Sequence, residues 1–439
     1  MKNEITFPYP YIVERLDQYY GLKSSSSKKI LSKEQSKKRT ISKRGSKKKF
    51  SILIATFWSF PHVGGLSNYI SALSKGLKSQ GHKVDIISPN QFSTSKVKHF
   101  RESVTPNLKS FFTRRYGSYN ERILNHKRLI YVYEKMLETI DLEKYDILHA
   151  QDLFTANILG RFNEGYGKPL FYTPHGMFTF NRLKFNIIKK GSVEEAYFKE
   201  LESKAIEYAS HIIVLSNSFR EPLIKLGAKN RNITTVITGI DYPNNQRQEK
   251  ETPPQKLTIT CVARLGPRKG HNYLFEALSR LEKYTTSIEV LIVGDGQMRE
   301  ALEKQRMALG LSMVKFLGSR DDVPSILSKT DIFVLPTIND SLPLSIIEAM
   351  HSGTAVISTN CGGIPELIKH NKTGIIVEPG NSEQLAHALK FLITNKEARN
   401  KMSTNAKIFA EKHLTITSMI GRIEHLYNNF WGGELTHET

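Results

Sequence analysis

Residues 331–360, DIFVLPTINDSLPLSIIEAMHSGTAVISTN, place a helical segment between two short apolar runs. Residues 331–336 have the length and β-branched content of a buried strand. Pro343 suits the first turn of a helix, where its missing N–H is no loss, and the apolar-rich residues 344–350 stop at Gly353. Residues 354–359 read as a second strand. Such a strand, loop, helix, strand unit implies a parallel sheet, and in open parallel sheets ligands bind at the loops leaving the carboxyl ends of the strands. Two carboxylates flank this loop and helix: Asp340 before the helix and Glu348 inside it, with seven residues between them. They are too far apart to be helical neighbours, so they would serve different parts of one ligand. Glu348 interrupts an otherwise apolar helix, and its plain alternative is the exposed stripe of an amphipathic helix.

The same alternation runs along most of the chain. Strands are expected at 50–56, 83–88, 146–150, 169–173, 211–216 and 233–237, and again at 257–262, 288–293, 314–317, 331–336, 354–359 and 374–377. Between the two sets, residues 242–255 (YPNNQRQEKETPPQ) have the polar, Pro- and Asn-rich character of a linker. The fold class expected is therefore α/β, with two Rossmann-like domains facing each other across a cleft. Its divisions are a basic arm at 1–49, an N-terminal domain at 50–241, the linker, and a C-terminal domain at 256–413. A last helix at 414–439 is expected to pack back on the N-terminal domain.

Charge narrows the classes of partner. The 439 residues carry 63 Lys and Arg against 42 Asp and Glu, a net +21, which calls for an anionic partner. Residues 1–50 hold 14 of the basic and 4 of the acidic residues, so +10 lies there. Residues 21–49 form a Ser/Lys tract that lacks the apolar surface to fold alone. An anionic membrane surface, a nucleic acid and a solvated tail are its candidate readings; the absence of interleaved aromatic residues argues against nucleic acid. No apolar run approaches the roughly 20 residues of a membrane span, and the first residues lack a signal-peptide core. A cytoplasmic protein, peripheral at the inner face of a membrane, is expected. Cys261 and Cys361 make no metal or disulfide pattern.

Several further residues sit where chemistry would be done. Gly64 and Gly65 precede a helix after the first strand, an arrangement that favours an anion or is simply a tight turn. His175 follows the 169–173 strand, where it meets a ligand or bonds locally. Arg264 and Lys269, bracketed by Gly266 and Gly270, offer a planar fork and a point charge that suit a diphosphate. Asp321 and Asp322 read as helix caps rather than metal ligands. Residues 92–139 are basic and aromatic, expected to be helical in their second half, and form either an amphipathic insert or an acceptor- or membrane-facing surface.

The motifs ARLGPRKG, VGDGQMRE, DSLPLSIIEAMHSGTAVIST, CGGIPELI and TGIIVEPG together resemble the retaining glycosyltransferases of family four, the group 1 enzymes of the GT-B fold, over about residues 50–430. The resemblance implies a metal-independent transfer from a nucleotide sugar, a UDP-sugar above others, to a saccharide, lipid-linked or small-molecule acceptor, with no cofactor. It implies that Arg264 and Lys269 neutralise the leaving diphosphate and that Glu348 holds the ribose hydroxyls. Asp340, one methylene shorter than the family's Glu, would contact the transferred sugar, and His175 would touch it. Gly294 and Gly296 match the family's Gly-Asp-Gly turn, and Gly64 and Gly65 its loop beside phosphate and acceptor. Pro343 stands where many members have Gly and removes one backbone donor, leaving the N–H groups of Leu344 and Ser345. An epimerase-like enzyme and a non-catalytic anion-binding protein acting through the arm are the alternatives.

Overall fold

The structure is a computed structural model that describes residues 9–22, 49–62, 64–243 and 256–432. Most of the Ser/Lys tract and of the segment read as a linker lies outside the described residues. The chain divides into two compact units. The first takes residues up to Val214, then Phe219–Thr235, then the chain from Arg422 on; the second takes Leu215–Ser218 and Val236–Gly421.

Short β-branched runs without polar alternation are stable only where both faces are covered, which is the environment of a parallel sheet packed by helices. In the first unit β1 (Ser51–Ala55), β2 (Lys83–Ile87), β3 (Ile147–Ala150), β4 (Leu170–Tyr172), β5 (His211–Val214) and β6 (Ile233–Thr235) pair in the order β2-β1-β3-β4-β5-β6, all parallel. In the second, β7 (Leu257–Val262), β8 (Ile288–Val293), β9 (Val314–Gly318), β10 (Ile332–Leu335), β11 (Ala355–Thr359) and β12 (Ile375–Val377) run β12-β11-β10-β7-β8-β9, again all parallel. Two parallel-sheet α/β units are the expected fold class. Every residue of β3, β10 and β11 is buried.

Seven helices of the first unit matter below: α1 (Pro10–Tyr19), α2 (Gly65–Ser79), α3 (Thr94–Tyr116), α4 (Glu121–Leu137), α5 (Leu153–Asn163), α6 (Phe178–Lys184) and α7 (Val193–Tyr208). Two of them differ from expectation. Within the stretch read as a basic arm, α1 is a packed helix that buries Ile12 and Leu16; Tyr9, Ile12 and Leu16 follow a spacing of three and four, and Pro10 stands in the first turn. The basic segment 92–139 is helical in both halves. Helix α3 starts from a Ser93 cap on Lys96 N and buries only Val104, Leu108 and Phe112, so its sparse apolar stripe hides among charges. Asp322 does precede a helix, but its side chain caps nothing and instead accepts two 2.7 Å hydrogen bonds from Arg320.

Helix α1 is fastened by a partly buried ion pair, in which Asp17 is enclosed and Arg115 is about a third exposed. Arg115 grips both carboxylate oxygens of Asp17 at 2.7 and 2.5 Å, and Tyr116 Oη donates to the same group at 3.1 Å. The Arg115 hydrogen bonds, helped by Tyr116 and opposed by burial, hold the Asp17 carboxyl below its ordinary range. We expect Asp17→Asn to destabilise the first unit by about 1.5–3 kcal/mol at neutral pH, the worth of hydrogen bonds to a charged group. The folded carboxyl is depressed, so this stability is present above the unfolded carboxyl pKa of about 4 and disappears as pH falls through the lower folded value. Denaturant titrations at pH 7 and in acid check it: a difference that persists unchanged in acid contradicts the ion-pair account.

The chain from Arg422 returns to cover the first unit's sheet. Tyr427 is fully buried, with its ring 4.7 Å from that of Phe171 and its hydroxyl 2.7 Å from His149 Nδ1. His149 Nε2 meets Thr173 Oγ1 at 2.8 Å, and burial, with His175 nearby, pulls this histidine down to about 3. It is a neutral, bridged core residue at neutral pH.

Candidate active site

The second unit gathers four loops at the carboxyl edge of its sheet. The loop after β7 is clamped to the loop after β8 by Leu265 N–H to Asp295 O (2.9 Å) and Met298 N–H to Leu265 O (3.0 Å). Gly294 has φ +130°, and a Cβ there would lie 2.1 Å from Ala263 O, so only glycine lets these two backbones meet. Gly296 continues that turn, its N–H bonded to Asp295 Oδ1 at 2.7 Å. Farther along, Ile338 N–H and Thr337 Oγ1 both donate to Arg268 O, at 2.8 and 2.9 Å, tying the loop after β10 to the first. The loop after β11 closes the set through Gly363 N–H to Ser341 O, 2.7 Å.

This backbone lattice brings Lys269 and Asp340, 71 residues apart in sequence, into a 2.5 Å ion pair. Their side chains keep 24% and 19% of their exposure, so the pair is shielded yet reachable. Arg264 is exposed on the same loop as Lys269.

The helix Leu344–His351 begins one residue later than the sequence suggests, with Pro343 as its cap. Ile346, Ile347, Ala349 and Met350 face the core, while Leu344, Ser345 and Glu348 are only half-buried. Glu348 therefore shares a face with Leu344 and Ser345, whose N–H groups stand at the helix N-terminus. Among the described residues its carboxylate has no ion-pair or hydrogen-bond partner, and burial alone pushes it above the ordinary glutamate range. Tyr242 lies within its field and is pinned by its hydroxyl to Ser352 Oγ and by stacking on His351. A half-buried carboxylate without a donor is suited to a ligand that brings hydroxyls.

The remaining predicted residues belong to the first unit. Gly64 and Gly65 follow β1, Gly64 capping α2 and accepting from Asn68 N–H at 3.1 Å. His175 follows β4. Its Nε2 is 3.1 Å from Gln151 Oε1, and the edge of Tyr69 from α2 packs 4.8 Å from its ring. Burial lowers His175 to about 3, so it is a neutral hydrogen-bonding group rather than a cation. Gln151 and Tyr69 escaped the sequence reading. Gln151 directly follows a strand whose neighbours are all apolar or paired, and its fully buried Nε2 has no partner among the described residues. His271, next to Gly270, is buried with both ring nitrogens unpartnered among the described residues and is lowered to about 4 by burial and then Lys269. Among the described residues no three His, Cys, Asp or Glu side chains gather, and no helix is long and apolar enough to cross a membrane.

Comparison with known proteins gives concordant matches. Residues 63–242 match the family described as Glycosyltransferase Family 4, and residues 243–409 the family described as Glycosyl transferases group 1. The chain is 30% identical over 320 residues to the UDP-Gal:alpha-D-GlcNAc-diphosphoundecaprenol alpha-1,3-galactosyltransferase of Escherichia coli, spanning 70% of this chain and 80% of that one. It is 25% identical over 382 residues to the N-acetyl-alpha-D-glucosaminyl L-malate synthase of Bacillus anthracis, spanning 84% of this chain and 94% of that one. Among solved structures, Anabaena HepE in complex with UDP superposes with a TM-score of 0.64 at 19% identity, over 86% of this chain and 99% of its own, a likeness of fold.

Proposed function

Because the chain belongs to family four of the glycosyltransferases, the group 1 enzymes, and is itself a glycosyltransferase, we propose that it moves a sugar with retention, without a metal ion, from a nucleotide sugar to a glycan or lipid-linked acceptor hydroxyl. A UDP-sugar is the first candidate donor, in keeping with the Escherichia coli relative's UDP-Gal and the UDP bound by Anabaena HepE. The observation that carries this reading is the convergence at one sheet edge of the shielded Lys269–Asp340 pair and of Glu348, which has no partner among the described residues.

In this reading Glu348 accepts from the ribose diol, while the N–H groups of Leu344 and Ser345 point at donor oxygens. Lys269 and Arg264 face the diphosphate. Asp340, released when phosphate takes over Lys269, accepts from a hydroxyl of the transferred sugar, and His175 with the Gly64–Gly65 loop serves the sugar and acceptor from the first unit. The bond from the anomeric carbon to the β-phosphate oxygen breaks while that carbon gains the acceptor oxygen. Positive charge grows on the sugar and negative charge on the diphosphate. Fixed cations aimed at the growing negative charge supply the stabilisation a metal would otherwise give. The acceptor oxygen bonds on the face from which the phosphate leaves, which gives retention, and its proton passes to the departing phosphate oxygen.

The test is thermal unfolding with UDP, GDP or ADP. One nucleotide should raise the melting temperature, since a ligand at 100 times its Kd adds about 2.7 kcal/mol. Glu348→Ala should weaken that nucleotide about 10- to 100-fold, the loss of roughly 1.5–3 kcal/mol of hydrogen bonding to a charged group. Stabilisation by no nucleotide, or equal binding by the variant, would remove the donor assignment.

A further inference from the structure

Leu215–Ser218, the chain just after β5, belongs to the second unit. There Asn217 grips Glu366, 149 residues away, with two donors: its backbone N–H reaches Glu366 Oε1 at 2.6 Å and its Nδ2 reaches Oε2 at 2.9 Å. Its neighbour Ser216 is fully buried and shares a 2.6 Å hydrogen bond with Ser218 Oγ. Glu366 stands in the short helix Ile364–Leu367, directly after the turn 361–363, and its own N–H returns to Gly363 O at 3.1 Å.

That turn is packed against the loop of Asp340. Gly363 N–H donates to Ser341 O at 2.7 Å, and a Cβ on Gly362 would lie 1.7 Å from Asp340 O. A Cβ on Gly363 would fall 2.5 Å from Ser216 Cβ and 2.7 Å from Ser341 O, so this glycine fills the gap between segment 215–218 and the Asp340 loop. With no slack on either side, a shift of one loop is passed to the other. Asn217 and Glu366 close the stack, because they fasten 215–218 to the helix that follows the turn.

A carboxylate that takes two donors from one residue has a fixed direction. The pair lies at the surface, Asn217 exposed and Glu366 half-buried, where side-chain contacts add little to folding stability. Its consequence is geometric instead, since misplacing a group at the reacting centre by about 1 Å costs on the order of 100-fold in rate. We propose that Asn217 and Glu366 are positioning residues for sugar transfer: they clamp the turn 361–363 against the Asp340 loop and so set where that carboxylate meets the transferred sugar. The proposal rests on the reading of Asp340 as a contact to that sugar.

Asn217→Asp sets two carboxylates against each other, and adding Glu366→Gln turns the pair back into a donor and an acceptor. The readouts, on the full chain, are UDP release from UDP-glucose, UDP-galactose and UDP-N-acetylglucosamine, thermal stabilisation by UDP, and hydrogen exchange over residues 337–345. Asn217→Asp should lower kcat with the best of these donors by about 10-fold or more and speed exchange over 337–345, while UDP stabilises it as it does the parent. The double variant should recover kcat to within about 3-fold and restore slow exchange. A kcat indifferent to Asn217→Asp, or lost and not recovered in the double variant, overturns the clamp, while turnover by the parent keeps the donor reading. Loss of UDP stabilisation in Asn217→Asp would also overturn it, since a misplaced sugar contact leaves the nucleotide bound. If UDP does not bind the parent, the UDP reading falls and exchange decides the clamp: faster exchange that the double variant reverses keeps it, and unchanged exchange removes it.

Discussion

Lys269→Ala is expected to lower kcat/KM for sugar transfer by two to three orders of magnitude, the usual consequence of removing one preorganised group from the place where negative charge develops. The shielding of Lys269 is what makes the effect large: a cation with 24% of its side chain exposed acts through a lower effective dielectric than one in open water. Its role should be separable from that of Asp340, its 2.5 Å partner. If Lys269 acts on the diphosphate and Asp340 on the sugar, Lys269→Ala should weaken UDP itself, whereas Asp340→Asn should leave UDP affinity nearly unchanged and depress kcat. Lys269→Arg should recover little, because the guanidinium is wider and longer than the ammonium it replaces. Steady-state kinetics beside UDP titrations decide the matter. A loss under 5-fold for Lys269→Ala, or equal loss of UDP affinity in the Asp340 variant, would reduce the pair to a structural strut.

That pair also marks where sequence reading stops. All twelve strands among the described residues were legible, because short apolar runs bounded by Gly, Pro or polar residues have few other ways to bury themselves. Asp340, Arg264 and Lys269 could be singled out because each lies in the loop after such a run, and Glu348 because it interrupts an apolar helix. Nothing in the chain says that Lys269 and Asp340 touch, since their meeting depends on the order β10-β7 in the sheet and on hydrogen bonds from Thr337 and Ile338 to Arg268 O. Likewise α3 hides a narrow apolar stripe among Lys and Arg, and the apolar spacing of α1 covers only two turns.

Gly362→Ala should be the most damaging single methyl addition to the second unit. Gly362 has φ +54°, and a Cβ there would lie 1.7 Å from Asp340 O and 3.1 Å from Ser341 O. Both contacts are backbone, so no side chain can swing aside. Left-handed strain on a non-glycine residue costs about 1–3 kcal/mol and overpacking a further 1–3 kcal/mol, which together predict roughly 2–6 kcal/mol. The loop carrying Asp340 has to move, so the Lys269 pair should open with it. Gly266→Ala is the matched control: its backbone is extended at φ −124°, a Cβ would meet nothing within 4 Å, and its stability should stay within about 0.5 kcal/mol of the parent. Two units need not unfold as one, so the readout is hydrogen exchange in β10 and β11 rather than a single melting curve. Faster exchange of those strands in Gly362→Ala alone supports the account. Equal protection in both variants would mean that the loop after β11 does not hold Asp340 in place, and that the position of this carboxylate is set by Lys269 instead.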